Sequence, residues 1–175
     1  MLDHENLSWR RAPLAELGRL AWPICVSMLS YSAMTVADTA FVGTIGRAAL
    51  AGVGLAGTLA FACIVFGIGL LRGVKVVVSQ AVGAGKQERV DELAAAGLVI
   101  ALVMSLVVMV LGQLVVLAVP LMAASPQAGT YGADYLFIRL LATPFVYIFC
   151  TTREASYGIG DSRSPMVASV AANLV

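Results

Sequence analysis

The clearest chemical feature of this sequence is a lone carboxylate inside an apolar segment. Asp38 lies in the stretch SYSAMTVADTAFVGTIG, residues 30–46, which contains no lysine or arginine. Ser27, Tyr31 and Thr35 precede it at successive spacings of four, four and three residues, which places all four side chains on one face of a helix. A stripe of hydroxyl groups that ends in a carboxylate is typical of a helix lining a wet cavity within a bundle.

Two kinds of cation chemistry fit this stripe. An aspartate inside a membrane can take up and release a proton, because burial disfavours its charged form. Carboxylate and hydroxyl oxygens are also suitable ligands for a hard cation such as Na⁺. A simpler interpretation places Asp38 at the outer water interface or in an ion pair with Arg47 or Arg139. The residues by themselves leave these interpretations open.

No set of residues predicts an enzyme or a cofactor site. The three cysteines lie far apart in apolar runs and lack the spacing of metal ligands: Cys25, Cys63 and Cys150. The single histidine, His4, lies in a polar leader, so no Ser/His/Asp or Cys/His set can form. The stretch VSQAVGAGK lacks the full spacing of a phosphate-binding loop. Apart from a possible Na⁺ at Asp38, we expect no metal.

The composition predicts a membrane protein. Hydrophobic residues make up 60% of the chain, charged residues make up 12%, and the mean hydropathy is +0.92. Soluble domains have about 45–50% apolar and about 25% charged residues. A net charge of +1 also argues against a nucleic-acid partner.

The apolar segments predict an all-α, polytopic membrane bundle. A spanning helix needs about 20 mostly apolar residues. Residues 1–19 read as a cytoplasmic leader without the features of a signal peptide. Four segments are long enough to span, and a fifth begins near the end of the sequence; the predicted spans are 20–43, 48–78, 93–119, 133–152 and, incomplete, 165–175.

The basic residues predict the orientation, because lysine and arginine are enriched on the cytoplasmic side. Nine of the eleven lie toward the side of the N-terminus and the GAGKQERVDE loop, and Arg47 and Arg139 lie toward the other. Arg72 and Lys75 fall inside the second span, where long basic side chains can extend to the interface or take a role in a cavity or in helix packing. Pro144 should kink the fourth span, as a fixed bend or as a gating hinge.

The order of several motifs resembles the N-terminal part of a multidrug and toxic compound extrusion (MATE) transporter, in a DinF-like branch. Pro144 in the fourth span also matches. The matching segments are WP at 22–23, ADTAFVGTIGRAALAGVGLAG at 37–57, SQAVGAGK at 79–86, YLFIR at 135–139 and GIGDSRSP at 158–165. The resemblance implies twelve helices in two six-helix lobes, with residues 20–175 forming part of the N-lobe. It implies a multi-pass protein of the cell (inner or plasma) membrane.

The same resemblance implies a function. Members of the family export small amphipathic, often cationic, compounds in exchange for H⁺ or Na⁺, and Asp38 matches the acidic residue that helps couple the cation. The remaining helices of the transporter are implied as partners, together with the lipid bilayer, so we expect these 175 residues to be inactive alone. Two alternatives remain open: a flippase for lipid-linked precursors, and a non-transporting membrane remnant or assembly partner.

Overall fold

The computed structural model describes residues 13–174 and confirms the all-α prediction. The first twelve residues of the predicted leader lie outside the described residues. The helices within these described residues are, in chain order, α1 (Pro13–Ile45), α2 (Arg47–Gly83), α3 (Gln87–Met122), α4 (Pro126–Leu141), α5 (Thr143–Gly158) and α6 (Arg163–Leu174).

The lengths of these helices suit a polytopic membrane protein. Three helices in the described part of the chain are long and apolar enough to cross a bilayer: α1 from Leu17, α2 and α3. The pair α4 and α5, bent by 49°, can form a fourth, broken span. With 37 residues, α2 is about 55 Å long, whereas the hydrocarbon core of a bilayer is about 30 Å thick. At least one end of α2 therefore lies outside the hydrocarbon region.

The chain divides into two compact units, which are described separately. The first unit comprises residues 1–36 and 160–175, and the second comprises residues 37–159. Within the first unit, the side-chain amide of Asn173 on α6 donates a hydrogen bond of 2.8 Å to the hydroxyl oxygen of Ser30 on α1. This contact joins two helices whose residues are 143 positions apart in the chain.

In the second unit, α2 packs against α3, α4 and α5. Its buried residues recur every three or four positions, which forms one continuous stripe along the helix: Ala49, Gly52, Ala56, Ala60, Ile64, Gly67, Leu71, Val74, Val78 and Ala81. The first half of this stripe consists almost entirely of alanine and glycine. Such small side chains allow neighbouring helix backbones to approach closely in a membrane.

Two glycines show how close this approach is. A Cβ atom on Gly52 would overlap the carbonyl oxygen of Ala128, and one on Gly132 would lie 2.9 Å from the carbonyl oxygen of Gly52. Helices α2 and α4 therefore touch through their backbones. Gly69 and Gly73 also have the spacing of a small-residue pair for close packing, but no described atom lies within 4 Å of a Cβ built on either. Their spacing matches the motif, but both lie off the buried stripe.

The bend between α4 and α5 lies beside Pro144. Ala142 ends one helix and precedes the next, and Pro144 is in the first turn of α5. Because proline has no N–H, the carbonyl oxygen of Leu140 lacks the donor that a continuous helix would supply. This lost bond accounts for the break at that position. Next to it, the buried hydroxyl of Thr143 has no hydrogen-bond partner among the described residues.

An acidic residue caps the start of α6. Ser164 is a residue type that favours the N-cap and precedes Pro165, but it lies inside the helix, which begins at Arg163. The carboxylate of Asp161 instead accepts hydrogen bonds from the backbone N–H groups of Arg163, at 2.9 Å, and Ser164, at 3.1 Å. A carboxylate two residues before the helix thus satisfies donors that the first turn leaves free.

Candidate functional site

Asp38 lies on the last third of α1, within its membrane-spanning part. Along the helix axis it is about 30 Å from Leu17 and about 10 Å from Ile45. The carboxylate is exposed, as are the apolar side chains of Val36 and Phe41 nearby, which are 70% and 73% exposed. A charged group in such apolar surroundings is costly unless it has a function or a partner.

The ion-pair interpretation of Asp38 receives no support from the described residues. Within that part of the chain, the ion pair closer than 4.0 Å joins Arg153 to Glu154. Asp38 therefore pairs with neither Arg47 nor Arg139 there, and Asp134 does not pair with Arg139 either. The location of Asp38 at the outer water interface and its binding of a cation both stay predictions.

The hydroxyl groups that precede Asp38 are oriented by the helix backbone. Ser27 donates a hydrogen bond of 3.0 Å to the carbonyl oxygen of Pro23, and Thr35 donates one of 3.0 Å to that of Tyr31. The side chain of Tyr31 is itself 62% exposed. In both donating hydroxyls the proton is directed to the backbone of the same helix.

A second polar cluster, which the sequence did not predict, lies on α5. Glu154 is buried, with only 6% of its surface exposed, and its carboxylate is 3.3 Å from the guanidinium of Arg153. The predicted fourth span, 133–152, ends two residues before Glu154, so the prediction did not include this carboxylate. The sequence does contain a signal for the burial of Glu154. Successive spacings of four, three and four residues place Tyr147, Thr151, Glu154 and Gly158 on one face of α5, and all four are buried.

The hydrogen bond between Ser30 and Asn173 was also missed. Its sequence signal is weak, because a lone serine or asparagine in an apolar helix does not identify its partner. A metal centre built from clustered side chains is not seen: residues 13–174 contain no group of three or more His, Cys, Asp or Glu side chains able to hold an ion. Any Na⁺ at Asp38 would therefore need hydroxyl or carbonyl oxygens as further ligands.

The long apolar helices and the carboxylate within one of them define a polytopic helical membrane protein. Residues 23–175 match the family model described as MatE, and the chain belongs to this family. The resemblance predicted from the motifs is thereby confirmed at the level of the family, and the placement in a DinF-like branch stays a prediction.

Several curated relatives are named for multidrug resistance. A probable multidrug resistance protein NorM of Bradyrhizobium diazoefficiens is 35% identical over 121 residues, which cover 67% of this chain and 25% of the relative. A probable multidrug resistance protein NorM of Synechocystis is 30% identical over 168 residues, covering 94% and 36%. The multidrug resistance protein NorM of Vibrio cholerae is 26% identical over 153 residues, covering 87% and 34%. The chain thus spans between a quarter and a little over a third of these relatives.

Proposed function

We propose that these residues form part of the N-lobe of a secondary active exporter that expels small amphipathic or cationic compounds in exchange for H⁺ or Na⁺. The observation that carries the proposal is Asp38, a carboxylate without an ion-pair partner among residues 13–174, in a membrane-spanning helix of a MatE family chain. The names of the NorM relatives support multidrug compounds as the class of substrate.

Asp38 is the residue that binds the coupling cation in this proposal. A neutralised carboxylate and a charged one interact very differently with a cationic substrate, so cation binding and substrate release become linked. Ser27 lies eleven residues from Asp38, about 16 Å along the helix, and Tyr31 lies about 10 Å away. These two side chains are therefore too far to share a cation with Asp38, and their role is to line the substrate path.

The two candidate ions, H⁺ and Na⁺, differ in the ligands that they need, and this difference can be tested. A proton requires only the carboxylate of Asp38. A bound Na⁺ requires several oxygen ligands, and Thr35 is the nearest hydroxyl of the predicted stripe, three residues before Asp38 in the chain. Replacing Thr35→Val keeps the shape and removes the oxygen. Transport driven by a Na⁺ gradient should then fall, whereas transport driven by a pH gradient should persist.

The proposed location is the cell (inner or plasma) membrane, with the N-terminus in the cytoplasm. It is supported by the placement of nine of the eleven basic residues toward one side. Transport itself is proposed for a protein that has both lobes, because alternating access depends on one half moving against the other. Residues 1–175 expressed alone should therefore leave the accumulation of a cationic dye unchanged.

The test is dye efflux from cells that express the complete transporter with Asp38→Asn. We expect efflux to fall at least tenfold while the amount of protein in the membrane stays the same. Asp134→Asn is the matched control, because Asp134 is an exposed carboxylate on α4 outside the stripe. Unchanged efflux with Asp38→Asn, or an equal loss with Asp134→Asn, would contradict the assignment.

A further inference from the structure

A basic cluster lies where α5 ends beside α2. It comprises Arg72 and Lys75 on α2 with Arg153, Glu154 and Tyr157 on α5. A Cβ on Gly158 would lie 3.0 Å from the carbonyl oxygen of Lys75, so the last turn of α5 is level with Lys75. On the other side of the cluster, Arg72 follows Leu71, which packs with Cys150 of α5 in one core cluster.

The level of this cluster relative to the helix ends explains why two cations occur in an apolar run. Helix α2 continues for eight residues beyond Lys75, about 12 Å, before it ends at Gly83. The α2–α3 hairpin therefore projects past the end of α5, and Lys75 lies where the chain leaves α5. Tyrosine and basic residues at such a level are typical of the membrane interface.

The cations of the cluster are incompletely satisfied. Arg153 uses one terminal nitrogen for Glu154, at 3.3 Å, while its Nε is buried without an acceptor in the described residues. The ammonium of Lys75 lies 5.8 Å from the ring centre of Tyr157. Lys75 and Arg72 are exposed, and neither has a carboxylate of the described chain within 4.0 Å. Three cations and one carboxylate leave two net positive charges.

Apolar surface adjoins the basic cluster on the side of the membrane interior. Phe149 lies one turn before Arg153, its ring is 6.0 Å from the Arg153 guanidinium, and it is 41% exposed. Val76, which follows Lys75, is 53% exposed. A ligand that matches both parts has an anionic head beside Lys75 and Arg153 and an apolar tail along Phe149.

We propose that this cluster binds the phosphate headgroup of an anionic phospholipid. Arginine and lysine bind phosphate oxygens strongly, and the guanidinium of Arg153, whose side chain is 29% exposed and which Glu154 holds in place, supplies donors beside Lys75. Basic pockets between helices on the cytoplasmic side are suited to anionic headgroups. The site would hold a lipid against the bent α4–α5 segment, and it is independent of what the protein transports.

The test is native mass spectrometry of the purified protein in detergent, with phosphatidylglycerol and phosphatidylcholine of identical acyl chains. We expect phosphatidylglycerol to be retained in preference. Lys75→Gln should weaken its binding about fivefold, the factor equivalent to the roughly 1 kcal/mol that one cation contributes near an anionic lipid. Because loss of Arg153 would leave a buried carboxylate without its partner, that position is tested as Arg153→Gln with Glu154→Gln. This pair keeps the net charge of the cluster at two, so it should weaken binding less than Lys75→Gln does, through the loss of the guanidinium donors alone.

Lys86→Gln is the control, because Lys86 lies beyond the end of α2, more than a Debye length from Lys75. It should change binding less than twofold. Equal retention of the two lipids, or equal effects of Lys75→Gln and Lys86→Gln, would overturn the proposal. Displacement of phosphatidylglycerol by millimolar inorganic phosphate would also overturn it, since the site would then bind a free anion rather than a lipid.

Discussion

The phenol of Tyr147 lies directly over Gly67. From this position its hydroxyl donates a hydrogen bond of 2.9 Å to the carbonyl oxygen of Ile64, one turn earlier on α2. Tyr147 is fully buried, and a Cβ atom on Gly67 would overlap its ring. The contact fixes α5 against α2. Tyr147 forms a buried hydrophobic cluster there with Ile64, Leu71, Ala101 and Cys150.

Gly67→Ala should destabilise the protein. Overlap with a buried side chain typically costs about 1–3 kcal/mol, which exceeds the gain of up to about 1 kcal/mol from replacing a helical glycine. Gly69→Ala is the matched control, since a Cβ there meets no described atom within 4 Å. We expect a lower free energy of unfolding in detergent–SDS mixtures for Gly67→Ala and an unchanged or higher value for Gly69→Ala. Equal values for the two variants would contradict the packing described above.

The hydrogen bond between Ser30 and Asn173 should contribute measurably to stability. Interhelical hydrogen bonds in membranes average about 0.6 kcal/mol in double-mutant cycles. The cycle consists of Ser30→Ala, Asn173→Ala and the double variant, with unfolding free energies measured for each. A coupling energy of about 0.5–1.5 kcal/mol is expected, and strictly additive effects would show that the bond does not stabilise the fold.

Stability should depend on pH through Asp161. Hydrogen bonds from the Ser164 side chain, and then from the backbone N–H groups of Ser164 and Arg163, lower the pKa of Asp161 from its ordinary value of 3.8. A lowered pKa means that its stabilising effect is complete above pH 3.8 and is lost as the pH falls through the lower folded value. The thermal unfolding temperature of Asp161→Ala should therefore lie below that of the wild type at pH 6, and the gap should narrow below pH 4. A gap that stays constant down to pH 2 would contradict this account.

Pro144→Ala should straighten the α4–α5 segment. The new N–H can donate to the carbonyl oxygen of Leu140, which restores the bond missing at the break. Removing a bend of 49° lengthens the separation of spin labels at Tyr131 and Thr152, both exposed, by about 3 Å. Phe145→Ala, at a side chain that is 77% exposed, is the control and should leave the distance unchanged. An unchanged distance in Pro144→Ala would mean that packing against α2 and α3 holds the bend without the proline.

The sequence by itself determined the class of the protein and the position of Asp38 on a polar stripe. Apolar composition, segment length and the order of short motifs are local properties, so they can be recognised in the sequence without a structure. The spacing of Gly69 and Gly73, in contrast, does not identify the close helix contact, because a motif does not say which helix face will be covered.

Only the tertiary structure decided which residues meet. It paired Gly52 with the backbone of Ala128, placed Tyr147 over Gly67, buried Glu154 beside Arg153, and brought Lys75 level with the end of α5. Each of these relations joins different helices or depends on a neighbouring helix for its burial. The physical reason is that small residues pack against one another across neighbouring helices. This packing fixes the position of each helix along its axis and its rotation about that axis, and no single segment of the chain encodes it.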